Sequence, residues 1–236
     1  MRTDQDNIII DGDVLVYRAA WSKNDDTQEA AIEKVDELLC NVIDKLLPNP
    51  PETGNIYTLY LTGKGNFREA IGITAPYKGN RKDVPKPIHI QAIRDHLVSY
   101  WEAEVSSGEE ADDCIGIKAT EVGEGSIVVS IDKDMLQIPC YHYNPTKYTL
   151  TKVTKWQGTQ FFYEQVLTGD KVDNIIGLMG VGPVKAKKAL EKCKTEGQLF
   201  QVCIKMYNGN VARVIENARL LWLRRTPNEI WEPPKV

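Results

Sequence analysis

Several protein classes are excluded by what this sequence lacks. Its five cysteines (Cys40, Cys114, Cys140, Cys193 and Cys203) are odd in number and never spaced C-x-x-C. That excludes a secreted disulfide framework and a zinc cage, and it fits a reducing cytoplasm. No run approaches the ~20 apolar residues that span a bilayer. Asp4 and Asp6 ahead of Ile8-Ile9-Ile10 do not read as a signal peptide, so a soluble chain without membrane contact is expected. Internal repeats, low-complexity tracts and the D-x-[DN]-x-[DN]-G loop of an EF-hand are missing too. Nor is there an excess of positive charge: the net charge is −4 over 236 residues, which alone argues against a phosphate-rich partner.

What is present is an ordinary globular composition, 42% hydrophobic and 26% charged, long enough for one large domain or a domain with an appendage. The charge is unevenly spread. Residues 171–236 hold 12 Lys and Arg against 6 Asp and Glu, whereas residues 1–170 hold 17 against 27. A basic C-terminal third on an acidic body suits a polyanion-binding appendage beside a metal centre; solvated helix faces are the plainer reading.

Asn7 to Val16 reads as a buried strand passing through an acidic turn at Asp11-Gly12-Asp13. A helix comes next over Thr27 to Leu47, stopped by Pro48-Asn49-Pro50-Pro51, and then a strand over Ile56 to Leu61. Gly63 to Pro87 has no period, many Gly and Pro, and the basic residues Lys64, Arg68, Lys78, Arg81, Lys82 and Lys86, so it reads as a structureless insertion, either functional or mobile. Helices over Ile88 to Trp101 and Glu109 to Thr120, a strand over Ser126 to Ile131 and a ribbon strand over Tyr148 to Thr154 complete the body. The remainder is helical, over Val184 to Lys194, Gly197 to Tyr207 and Val211 to Arg225. Alternating strands and helices predict an α/β fold with a mainly parallel sheet and its site along the strands' carboxyl edge.

Four acidic clusters lie where strands end or helices begin: Asp11 with Asp13, Glu110-Ala111-Asp112-Asp113, Asp132-Lys133-Asp134, and Asp170 with Asp173. Each singly is an unremarkable cap or turn. Together, carboxylates at one edge repel unless divalent cations neutralise them, and hard oxygen donors suit Mg²⁺ or Mn²⁺. Two such ions activate a water and stabilise the leaving oxygen in phosphodiester hydrolysis. Glu110 and Asp113 share a helix face, and Asp132 and Asp134 share one side if the strand continues. Gly177-Leu178-Met179-Gly180-Val181-Gly182-Pro183 leads into a helix with Lys185, Lys187 and Lys188. Its glycines let backbone approach a ligand closely, and its lysines suit phosphates.

In this order the acids, Gly169-Asp170-x-x-Asp173-Asn174, the Gly177 to Lys188 hairpin and Tyr77-Lys78-Gly79-Asn80-Arg81 resemble the 5′ nucleases of the flap-endonuclease type, most closely their bacteriophage 5′–3′ exonuclease branch. The resemblance covers roughly residues 7 to 195. It implies a PIN-like α/β core over 1–168 with a helical arch at about 63–87. A helix–hairpin–helix and C-terminal helical DNA-binding region over 169–236 would complete it, with a K⁺ ion on the hairpin carbonyls. Asp11, Glu110, Asp112 and Asp113 would serve a first Mg²⁺ or Mn²⁺, and Asp132, Asp134, Asp170 and Asp173 a second. Lys78 and Arg81 would act on the scissile phosphate. Tyr77 would stack on a base or simply pack, and Gly177, Gly180, Gly182, Lys185, Lys187 and Lys188 would grip duplex DNA. Substrates would be DNA 5′ ends and flaps, with RNA–DNA hybrids as a further class. The protein would act as a monomer alongside replication proteins in phage DNA replication or degradation.

One departure stands out: Thr62-Gly63-Lys64 comes after the second strand where the family usually offers an aspartate. Asp13 is then expected as a compensating ligand of the first metal, and an acid restored at position 63 as a partial substitute for it. Two other readings compete. Ile8 to Leu15 fits the nucleophile loop of a haloacid-dehalogenase-like phosphatase, with Asp11 attacking phosphate. A non-catalytic helix–hairpin–helix DNA-binding protein, its nuclease site decayed at Gly63, is the other.

Overall fold

The computed structural model describes residues 8–47, 57–81 and 84–235; the helix stop expected at Pro48 to Pro51, the strand residue Ile56 and Lys82 lie outside them. Two compact units form, one from residues 1–65, 85–135 and 140–152, the other from 66–84, 136–139 and 153–236. Among the described residues no helix is long and apolar enough to cross a membrane.

The first unit holds a six-stranded sheet of β1 (Ile8–Asp11), β2 (Tyr57–Lys64), β3 (Glu104–Ser107), β4 (Ile127–Val129), β5 (Tyr141–Asn144) and β6 (Thr149–Lys152). The order is β3-β2-β1-β4-β5-β6, parallel except for the β5-β6 hairpin. Strand β1 is central, Ile8 lying opposite both Tyr57 and Ile127, and all four of its residues are buried. Burial on both faces is why it reads as an unbroken apolar run. Ile8 and Ile10 pack with Leu15, Val35, Leu39, Ile93 and Leu97 from α1 (Gly12–Ser22), α2 (Gln28–Leu46) and α3 (Ile90–Tyr100). Ile9 points the other way, and α4 (Ala111–Val122) packs on β1 and β2 with Ile115 fully buried.

Two expectations fail here for a local reason. Val14-Leu15-Val16, expected as strand, are helical: Asp11 ends β1 and its carboxylate accepts the Val14 N–H at 3.2 Å, capping α1. A satisfied helix start outweighs the preference of two valines for strand. Similarly, β4 stops at Val129, so Asp132 and Asp134 do not share the side of a continuing strand. They lie in the turn that enters a 3₁₀ segment at Lys133–Gln137.

In the second unit, α5 (Lys155–Thr168), α6 (Pro183–Leu190), α7 (Glu196–Met206) and α8 (Val211–Leu221) enclose Phe162, Tyr163, Leu190, Leu199, Phe200 and Trp231. A two-stranded ribbon, β7 (Gly169–Asp170) and β8 (Ile175–Ile176), joins them. Helix α5, which no period in the sequence announces, belongs to this core, as does the 66–84 segment, so the units do not divide at 168/169. That segment is not structureless either. Phe67–Ala70 and Gly79–Arg81 form 3₁₀ turns, and Arg68 is buried, donating to the Leu220 carbonyl at 2.9 Å and the Trp222 carbonyl at 2.7 Å.

Candidate active site

Parallel strands and the helices after them deliver one acidic group after another to the carboxyl edge of the first unit's sheet. Asp11 is the last residue of β1; Glu110 caps α4 after β3, and Asp132 and Asp134 come after β4. Asp11 is buried, only 4% exposed. One oxygen accepts from Val14 N–H and the other from the Ser130 hydroxyl at 2.7 Å. Ser130 in turn accepts the Asp132 N–H at 2.9 Å, and Asp132 accepts the Asp134 N–H at 2.8 Å. Burial, with the charges of Asp13 and Asp132 adding to it, pushes the Asp11 carboxyl from 3.8 up to about 7, against the two hydrogen bonds.

Glu110 and Asp113 are both buried and cap the start of α4 reciprocally, the Glu110 N–H donating to Asp113 at 3.2 Å. Asp112 is half-buried in the same turn. Asp13 is held from two sides: Arg94 donates to one oxygen at 2.6 Å and Thr62 N–H to the other at 2.9 Å. Gly63 gives its N–H to Ser106 Oγ at 3.0 Å. A Cβ built there would lie 1.9 Å from the Ser106 carbonyl oxygen, so this backbone admits no side chain at position 63. The idea of restoring an acid there fails on that contact.

The donor set is all oxygen and includes a carboxylate destabilised by its burial and, less, by neighbouring negative charge. A hard divalent cation would reverse that imbalance, so the residues fit one. Among the described residues no three His, Cys, Asp or Glu side chains stand already arranged to hold an ion; the acids share an edge without forming a finished cage.

The second unit brings together two segments that the sequence keeps far apart. Asp173 accepts from the Tyr77 hydroxyl at 2.9 Å and from Arg81, with Lys78 Nζ at 3.8 Å. Its carbonyl accepts the Lys78 N–H at 2.9 Å, while Asn80 donates to the Lys171 carbonyl at 2.8 Å and Asn174 to the Pro76 carbonyl at 2.9 Å. Asp170 shapes the turn by accepting from Val172 and Asp173 N–H. Tyr77 is buried in the unit's core, where its ring packs.

The hairpin glycines divide by role. Gly177 lies against the Thr168 backbone, where a Cβ would sit 2.1 Å from the carbonyl carbon, whereas Gly180 (φ +72°) and Gly182 face open space. Met179 is fully exposed between them. Lys185 folds back to donate to the Gly180 carbonyl at 2.9 Å, while Lys187 and Lys188 are exposed on α6.

Sequence reasoning missed Ser130, Arg94 and Thr62. Ser130 carries a signal, a hydroxyl directly after the apolar strand and two residues before Asp132; Arg94 carries none, being one charge among others on an amphipathic helix.

Known proteins share this fold. Bacteriophage T5 D15 protein co-crystallised with metal ions superposes with a TM-score of 0.65 at 16% identity, over 91% of this chain and 88% of that one. The catalytic core of Rad2 in complex with DNA substrate gives 0.52 at 13% identity, over 97% and 84%. The fold is therefore that of the PIN-like nucleases. In sequence, the flap endonuclease Xni of Shewanella sp. (strain W3-18-1) is 27% identical over 210 residues, 82% of this chain and 77% of the relative. The 5′-3′ exonuclease of Buchnera aphidicola subsp. Schizaphis graminum is 28% identical over 206 residues, 78% and 69%. These sequence relatives are bacterial, and phage T5 enters through the fold. The family model of the 5′-3′ exonuclease N-terminal, resolvase-like domain matches residues 6–167. The chain belongs to this 5′-3′ exonuclease family and is a nuclease; the phosphatase and non-catalytic readings fall away.

Proposed function

We propose that this nuclease hydrolyses DNA phosphodiesters at 5′ ends and flaps with Mg²⁺ or Mn²⁺, using two ions. The observation that carries the reading is Asp11: a buried carboxylate at the end of the central strand, raised by burial and by its acidic neighbours, is costly unless a cation is its partner. Asp11, Glu110, Asp112 and Asp113 would hold one ion and Asp132 and Asp134 would contribute to another. Asp170 and Asp173 are assigned to the second on family resemblance alone. When bound, such ions lower the pKa of a water and offset charge on the leaving oxygen.

The remaining residues bind and orient. Ser130 fixes the Asp11 carboxylate and, through Asp132 N–H, the next acid. Lys78 and Arg81 supply positive charge for the scissile phosphate from a segment that Asp173 holds in place. The exposed Lys187 and Lys188, with the open backbone at Gly180 and Gly182, grip duplex phosphates without reading sequence, and a K⁺ ion on the hairpin carbonyls belongs to the same reading. RNA strands of RNA–DNA hybrids are proposed as a further substrate class.

The test is a 5′-labelled flap, nicked, blunt and hybrid substrate series with Mg²⁺ titrated from zero. Cleavage should require the cation and start at 5′ ends; undiminished cleavage in excess EDTA refutes the proposal.

A further inference from the structure

The corner between α1, β2, α3 and α4 holds a guanidinium that the sequence pattern does not single out. Arg94, on α3, donates through one terminal nitrogen to Asp13 Oδ1 at 2.6 Å and through the other to the Thr62 carbonyl at 2.5 Å. Thr62 N–H closes the ring onto Asp13 Oδ2 at 2.9 Å. The Thr62 hydroxyl then accepts the Ala111 N–H at 3.0 Å, the first amide of α4, beside Glu110. Both oxygens of Asp13 are thus engaged, and the ion pair is largely shielded, with 20% and 23% of the two side chains exposed. A planar guanidinium spanning a carboxylate and a carbonyl fixes direction as well as charge, which an ammonium cannot do.

We propose that Arg94 and Asp13 are positioning residues for the acidic edge: the guanidinium takes the place of a side chain at position 63, and Asp13 anchors it instead of ligating the ion. The inference rests on the divalent-metal reading given above. Its physical logic is that α1 and the end of β2 must be tied together near the metal carboxylates. An acid at position 63 could tie them only through a shared cation, and the backbone contact of Gly63 with Ser106 forbids that acid. Arg94 ties them permanently, and Thr62 passes the constraint to the first turn of α4, where Glu110, Asp112 and Asp113 are held. Outer partners of this kind commonly change affinity or activity 10- to 100-fold when lost.

The test compares the parent with Arg94→Met, Arg94→Lys and the charge-conserving double variant Asp13→Asn/Arg94→Gln. Three quantities are read: amide hydrogen exchange at Thr62 and Ala111, Mn²⁺ affinity without DNA by electron paramagnetic resonance, and single-turnover cleavage of a 5′-flap at saturating Mg²⁺. The double variant should keep its Mn²⁺ Kd within about twofold while cleavage falls at least tenfold, with faster exchange at Ala111. Arg94→Met should bind Mn²⁺ more tightly, because a fixed positive charge has gone and the Asp13 oxygens are released, and yet cleave more slowly. Arg94→Lys should keep Mn²⁺ affinity and recover only part of the rate.

A tenfold loss of Mn²⁺ affinity in the double variant that Arg94→Met does not share would make Asp13 a ligand and overturn the proposal, as would parental cleavage in both the double variant and Arg94→Met. Unchanged exchange at Thr62 and Ala111 in Arg94→Met would overturn it independently of any activity. Failure of the parent itself to bind Mn²⁺ or cleave would strike the metal reading, and the exchange data would still judge the bridge.

Discussion

Asp11→Asn should stabilise the metal-free protein at alkaline pH while abolishing its activity. The carboxyl is raised from 3.8 to about 7 by burial and by the charges of Asp13 and Asp132. A raised carboxyl means the folded state holds a proton that the unfolded state has released, so stability is lost as pH rises from about 4 through about 7 and stays lost above. That difference corresponds to a ceiling of about 4 kcal/mol at pH 8. Asparagine removes the charge but not all of the hydrogen bonding: its oxygen can accept from Val14 N–H, and its amide can donate to Ser130 Oγ, which must then turn its own proton elsewhere. One disturbed hydrogen bond costs about 1 kcal/mol, leaving an expected gain of about 1–3 kcal/mol at pH 8 and nearly none at pH 4. At about 2–4 °C per kcal/mol for a chain of this size, thermal melts in EDTA should show the variant several degrees above the parent at pH 8, converging toward pH 4. Added Mg²⁺ should raise the parent more than the variant, since only the parent keeps the charge that the cation offsets. A variant equal to or less stable than the parent at pH 8 would refute the reasoning that Asp11 is a destabilised carboxylate held for a cation.

The same geometry sets further outcomes. Gly63→Asp should lower the melting temperature and fail to improve Mg²⁺ dependence in flap cleavage, because any Cβ meets the Ser106 carbonyl. Gly177→Ala should destabilise by more than about 2 kcal/mol in urea unfolding through its contact with Thr168, whereas Gly182→Ala, facing open space, should change stability by less than about 1 kcal/mol. Arg81→Ala should reduce single-turnover cleavage at least 10²-fold with duplex affinity changed far less, measured by quench-flow and anisotropy. Lys187→Ala with Lys188→Ala should flatten the salt dependence of duplex binding by up to about two phosphate contacts, checked by titrations across ionic strength.

How much of this was legible in the sequence depends on where the information sits. The parallel α/β class and the acids at strand ends came from Ile8-Ile9-Ile10 ahead of Asp11 and Ile127-Val128-Val129 ahead of Asp132, because burial on both faces writes itself as apolar runs. The continuation of strand through Val14 to Val16 was misleading: local propensity favoured strand, and only the carboxylate of Asp11 turning back on Val14 N–H reveals the helix. Helix α5 was hard to see because its apolar residues, Trp156, Phe161 to Tyr163, Val166 and Leu167, are too spread around the helix to give it a strongly one-sided face. The docking of Tyr77 to Arg81 on Asp173 and the ring of Arg94, Asp13 and Thr62 are tertiary, joining residues tens of positions apart. Gly63 was legible as a missing acid, but not as a position that sterically refuses one.

The buried Arg68 ties the segment before the basic loop to carbonyls 152 and 154 residues further along the chain, and the same unit closes on Trp231. A ribosome therefore releases residues 66–84 long before their anchor exists. Loop closure over such distances is slow relative to local helix formation, so Arg68 reaches its buried setting only once the Leu220 and Trp222 carbonyls have joined the chain.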